Sequence, residues 1–235
     1  MEFKEVLTFL ETHGDDKLKK PYKRYGFETL YGLRISGLRS LASSIGFNQK
    51  LAKELAMIDA FETLFLSVLL EDSKVISKER ITELALKAKK SPVVDQALAD
   101  VIIHSHHIDL LYAWYNHPDD CLRYASYATL SSYFRLLPLE KIDVSFGHLL
   151  LEQIKHTLLL EDIHVQNAMN NVVVMAGLHV PELVEHAYEI AQHIGYVMPL
   201  KAKNSCNIQS ATDYLDRYLQ EPKYSRVAKL NAQKK

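Results

Sequence analysis

Residues 164–197, HVQNAMNNVVVMAGLHVPELVEHAYEIAQHIGYV, constrain the fold more than any other part of the chain. Val165, Ala168, Met169, Val172, Val173 and Ala176 recur at i, i+3, i+4, i+7, i+8 and i+11, the signature of one buried helical face. Gly177 is expected to end that helix. Pro181 then stands where a first helical turn tolerates proline, and Leu183, Ala187, Ile190, Ala191 and Ile194 form a second stripe before Gly195. Two short amphipathic helices joined by a turn cannot bury their apolar faces alone. They must stack on similar units.

The same pattern fills the chain. Helices are predicted near 2–12, 36–45, 48–56, 58–70, 77–89, 93–104, 107–116, 119–135, 145–158, 163–176, 180–194 and 208–219, and no strand alternation competes with them. From about residue 77 they fall into pairs with short polar or Pro/Gly turns. This predicts an all-α fold: a single-domain α-solenoid of HEAT/armadillo-like antiparallel helix pairs over residues 1–220. Residues 221–235, polar and basic, are expected to fray. The segment 136–144 connects helices, and 197–207 is expected to be a loop.

Lysine and arginine total 28 against 29 acidic residues, a net charge of −1, whereas dedicated duplex-DNA binders usually carry a clear positive excess. Basic residues cluster at Lys17, Lys19, Lys20, Lys23 and Arg24, and at Lys87, Lys89 and Lys90. Such runs serve either as solvated faces or as anion contacts. No apolar run approaches the roughly 20 residues of a membrane helix, and the first 15 residues show no signal-peptide pattern. Cys121 and Cys206 form no metal or redox motif, so reduced thiols in a cytoplasmic protein are expected. His104, His106, His107 and His117 lack a carboxylate or cysteine at helical spacing, so neither a metal nor a cofactor is expected. P-loop, GxGxxG, HExxH and nucleophile-elbow signatures are absent from the sequence.

Four segments carry a family resemblance. Tyr31-Gly32-Leu33-Arg34-Ile35-Ser36-Gly37-Leu38-Arg39 is similar to a Tyr-Gly-Val-x-x-x-x-Leu-Arg motif. Phe61-Glu62 and Leu69-Leu70-Glu71-Asp72 lie on a helix similar to an early helix that ends near an acidic residue. Residues 114–125, WYNHPDDCLRYA, are similar to Trp-x-x-Ser-x-x-x-x-x-Arg-Arg-x-Ala. Ala168-Met169-Asn170-Asn171, Ile194-Gly195 and Cys206 resemble a subgroup of shorter homologues. Together these resemble the AlkD-like DNA alkylation repair family, helical-repeat proteins that include DNA glycosylases.

The resemblance implies a concave face that meets duplex DNA. A glycosylase for alkylated purines needs aromatic faces and a carboxylate to stabilise a cationic sugar, with arginines on the backbone. In Ser91-Pro92-Val93-Val94-Asp95, Ser91 stands where the active enzymes have tryptophan, while Asp95 keeps the carboxylate as the candidate catalytic residue. Asp95 falls opposite Val93, Val94, Ala97, Leu98 and Val101. It either complements its own helix dipole, with Ser91 as cap, or faces a groove. Arg123 and Tyr127, at i and i+4, are candidate nucleic-acid contacts, with a salt bridge from Arg123 to Asp95 or Asp119 as the alternative. Asn167, Asn171 and Val174 are expected on the face opposite the buried stripe, where the active enzymes carry a basic residue, a tryptophan and an arginine. Asn167 and Asn171 are candidate DNA contacts, or bond the neighbouring repeat. Trp114 is expected between helices. Tyr22, Tyr25 and Tyr31, beside the basic run, suit either nucleic acid or core.

The leading expectation is a monomeric DNA-binding member of this family whose N-glycosylase activity is lost or altered. A protein-interaction scaffold without DNA affinity is one alternative. An active glycosylase with a divergent pocket is the other.

Overall fold

The computed structural model describes residues 1–198 and 209–233. Cys206, Lys234 and Lys235 lie outside the described residues, as does most of the expected 197–207 loop. The helices are α1 (Phe3–His13), α2 (Asp16–Lys23), α3 (Ile35–Ile45), α4 (Gln49–Leu55), α5 (Phe61–Leu69), α6 (Lys78–Ala88), α7 (Ala99–His104), α8 (Asp109–Trp114), α9 (Asp120–Leu136), α10 (Val144–Thr157), α11 (Ile163–His179), α12 (Val184–Ile194), α13 (Ala211–Tyr218) and α14 (Arg226–Gln233). A π-helical segment, Val94–Leu98, leads into α7. Among the described residues there is no strand, only isolated bridges pairing Thr29 with Ala60 and Tyr196 with Ser210. No described helix is long and apolar enough to cross a membrane. The all-α expectation holds.

Backbone contacts divide the chain into two compact units, Met1–Ala125 and Ser126–Lys235. The division falls within α9, so no linker marks it.

In the first unit α5 is the core. Every residue from Phe61 to Val68 is buried, and α3, α4 and α6 pack on it. The Phe61 ring stacks on Tyr22 at 4.1 Å and meets Phe27 edge-on at 5.9 Å. Tyr22 and Tyr25 are thus part of the aromatic packing, the core alternative. Fully buried Glu62 explains the Tyr-Gly motif. Its carboxylate accepts backbone N–H bonds from Tyr31 (3.2 Å), Gly32 (2.6 Å) and Leu33 (3.3 Å), fixing the loop before α3. Gly32 has φ 86°, and a Cβ there would lie 2.2 Å from the Asp15 carbonyl oxygen. A second buried acid, Glu71, takes the Arg80 Nε–H at 2.7 Å. Arg80 also donates to Glu83 at 2.9 Å and to Ser67 Oγ at 3.1 Å, so the guanidinium is satisfied from several sides.

In the second unit α11 lies between α10, α12, α13 and α14. Gly177 does not end this helix, which runs on to His179. A Cβ at Gly177 would sit 2.8 Å from Leu215 Cδ2 and 3.2 Å from Ala187 Cβ, so the glycine permits close helix packing. Gly195, at φ 66°, does end α12 as expected. The expectation of a frayed tail is corrected: Arg226–Gln233 is helical, with Val227 and Ala228 buried. Ser225 Oγ caps it by accepting from Ala228 N at 3.1 Å and donates to the Leu178 carbonyl at 3.0 Å. Arg226 donates to the Leu137 carbonyl at 2.7 Å and to that of Arg135.

Candidate nucleic-acid interface

Ser91 starts the helix that carries Asp95. It is fully buried, accepting from Val93 N at 3.3 Å and donating to the Ala88 carbonyl at 2.6 Å. Val93, Val94, Ala97, Leu98 and Val101 are buried as the periodicity requires, and Asp95 and Gln96 are exposed. Asp95 sits in the π-helical stretch, a geometry concentrated at functional positions. Protein atoms crowd the carboxyl despite its solvent access, and that desolvation lifts its pKa to about 6, opposed by its own backbone N–H and by Gln96 Nε2 at 3.3 Å. Because water reaches the group, solvent screening reduces what this shift contributes to stability.

Arg39, the arginine that closes the Tyr-Gly motif, is a neighbour of this segment. Its guanidinium donates to the Gln96 carbonyl and lies 5.7 Å from the centre of the Phe65 ring. This ties α3 to the Asp95 segment.

Arg123 is half-buried and donates to the carbonyls of His117 (2.7 Å) and Pro118 (2.9 Å). It braces the turn after α8. Tyr127, the other candidate contact on this helix, is instead one of the largest fully buried side chains. The correction follows from α9 being covered at Tyr127, Thr129 and Leu130 alike, more than one stripe. On α11 the expected open face is also corrected. Val174 is fully buried, Asn167 is 7% exposed, and Asn171 is half-buried, because helices cover α11 on several sides. Asn167 Nδ2 bonds the carbonyls of Ile163 (2.8 Å) and Met198 (2.9 Å). Trp114 is buried as expected.

The basic run at 87–90 is consumed within the fold. Lys87 pairs with Glu83 at 3.0 Å, Lys89 with Asp59 at 3.1 Å, and Lys90 with Asp120 at 2.6 Å. His104 Nδ1 lies against the Asp100 carbonyl at 2.8 Å and His107 Nε2 against that of Ile76 at 3.0 Å. Asp119, Asp120 and Cys121 converge at the start of α9. There Asp119 caps the helix, Asp120 holds Lys90, and burial pushes the Cys121 thiol up to about 11.

A different stretch combines charge with access. Residues 34–53 contain Arg34, Arg39, Lys50 and Lys53 and no acidic residue, in a chain of net charge −1. All four cations are exposed, and none has a carboxylate within ion-pair distance among the described residues. The signal lay in the sequence, in the missing acids rather than in a dense basic run.

No family model matches the chain. An uncharacterised Listeria innocua protein, Lin0241, is 24% identical over 193 residues, covering 80% of this chain and 83% of its own length. Lmo0209 of Listeria monocytogenes, also uncharacterised, is 23% identical over the same length. A solved structure superposes with a TM-score of 0.85 at 22% identity, covering 97% of this chain and 98% of its own. It is described as representing a new family of proteins related to the HEAT-like repeat DNA glycosylases with affinity for branched DNA structures. The chain therefore has the HEAT-like repeat fold.

Proposed function

We propose that this protein binds DNA, with a preference for branched structures, and that its N-glycosylase activity is lost or redirected. The observation that carries the reading is the acid-free segment 34–53, whose four exposed cations have no carboxylate partner among the described residues and can neutralise phosphates, Arg39 while also holding the Gln96 carbonyl. The likeness in fold to a protein with affinity for branched DNA supports the same reading. Loss of glycosylase chemistry follows from the two positions where the resemblance expects tryptophan. Ser91 is buried in helix capping, and Asn171 offers no aromatic face. Asp95 remains as the carboxylate for any surviving activity, mostly ionised at neutral pH.

A scaffold for a protein partner is the second reading, favoured by Leu159 and Leu160, which stand 82% and 83% exposed between α10 and α11. Fluorescence anisotropy with labelled duplex, a three-way junction and a duplex carrying a cationic abasic-site mimic separates the two. Binding that favours the junction supports the DNA reading, and no binding to any probe at low salt replaces it with the scaffold. Incubation with methylated DNA tests the chemistry. No free alkylated base above background is expected, and release abolished by Asp95→Asn would show an active enzyme with a divergent pocket.

A further inference from the structure

The turn between α3 and α4 holds a phenylalanine in solvent. Phe47 is 71% exposed, although its neighbours on both sides are fixed. Gly46 ends α3 at φ 75°, its N–H bonded to the Ala42 carbonyl at 2.9 Å. Asn48 donates its backbone N–H to the Leu70 carbonyl at 2.9 Å and accepts from Leu51 N at 3.0 Å to cap α4. A turn pinned on both sides leaves the ring displayed, forgoing the burial that phenylalanine ordinarily gains. Beside it lies a cavity of about 320 Å³ lined by Arg39, Ala42, Ser43, Gly46, Phe47 and Leu69. That volume is at the small end of the roughly 300–1,000 Å³ typical of small-ligand sites.

We propose that this notch receives one unpaired nucleobase, stacked on Phe47, from DNA held by the cations of segment 34–53; the proposal rests on the DNA-binding reading above. Ala42 and Leu69 give an apolar floor for a flat ring. Ser43 and the tethered Arg39 supply polar groups for its edge or for the adjoining phosphate. The charge favours this occupant over an apolar peptide. Arg34, Arg39, Lys50 and Lys53 lie within 13 residues of Phe47 in sequence against Glu54 and Asp59, the latter paired with Lys89, so the local charge favours an anionic chain. An exposed aromatic ring beside cations that track a backbone is how single strands are bound without sequence preference. Branch points supply such bases.

The test uses the full chain and a three-way junction carrying unpaired thymines at the branch, one of them replaced by 2-aminopurine. Phe47→Ala, a surface change with an unchanged thermal melt, is expected to weaken junction binding at least five-fold while altering affinity for fully paired duplex less than two-fold. The 2-aminopurine emission change seen with the native protein should vanish in Phe47→Ala and persist in Phe47→Trp. Equal junction affinity for native protein and Phe47→Ala, with no emission change, would overturn the notch and leave DNA binding standing. Failure of the native protein to bind any DNA at low salt would overturn both.

Discussion

Replacing Glu62 tests the feature that fixes the loop entering α3. The carboxylate is fully buried and accepts three backbone N–H bonds, two of them, from Gly32 and Leu33, on the same oxygen. Glu62→Ala leaves three amides facing an apolar cavity. A buried donor without a partner costs about 1–3 kcal/mol, and charged acceptors lie toward the high end. The Tyr31 amide is only partly buried and regains water, so about 3–5 kcal/mol is expected in total. Glu62→Gln keeps one oxygen for Gly32 and Leu33 but turns an NH₂ group toward Tyr31 N–H, so a smaller loss of about 1–2 kcal/mol follows. Urea unfolding followed by circular dichroism reads both. The order Ala well below Gln, and Gln below native, is expected. Two variants within about 0.5 kcal/mol of native would refute the clasp, because surface substitutions also fall in that range.

Three further outcomes follow from packing and charge. Gly177→Ala places a Cβ 2.8 Å from Leu215 Cδ2, and overpacking of about 1–3 kcal/mol should lower the thermal midpoint by several degrees; an unchanged midpoint would mean that α13 is free to give way. Asp95 has a folded pKa above its unfolded one, so its contribution is fully present below about 4 and is lost as pH rises through about 6. Asp95→Asn should therefore stabilise the protein at pH 7, by up to about 1 kcal/mol once solvent access is discounted, and make no difference near pH 4. His179 behaves oppositely in sign. Burial first, then Arg226 and Arg135, hold its pKa down at about 4, so the unfolded chain binds the extra proton. Stability should fall as pH drops from about 6.5 to about 4, by about 1–2 kcal/mol after discounting partial exposure, and His179→Gln should flatten that part of the urea-midpoint profile.

Most helices were legible because apolar residues recur at helical spacing along them, and α5, α6, α9, α10 and α12 fall close to the predicted ranges. Two were not. α2, DKLKKPYK, buries no residue fully, and Asp15, which caps it, looks like an ordinary loop acid. α14 carried its signal in Ser225 and Val227-Ala228, but the surrounding lysines read as a tail. The candidate site was harder still. Periodicity marks the most apolar side of a helix and says little about a helix covered on several sides, so Asn167, Val174 and Tyr127 read as open when they are buried. The cations invert the same lesson. Lys89 and Lys90 belong to a dense run but pair across elements with Asp59 and Asp120, while Lys87 pairs within its own helix with Glu83; Arg34, Lys50 and Lys53 are sparse and free of carboxylates among the described residues. Pairing depends on tertiary neighbours, which no local window contains.

The most direct test of the central claim is the salt dependence of junction binding for the native protein and for the double variant Lys50→Gln/Lys53→Gln. If the four cations of segment 34–53 neutralise phosphates, log affinity should fall with log salt at a slope of about −3.6, roughly 100-fold between 50 and 200 mM. The double variant should show a slope near −1.8, roughly 10-fold over the same range, with an unchanged fold by circular dichroism. Identical slopes for the two proteins, or no junction binding at the lowest salt, would contradict the assignment of this surface to DNA.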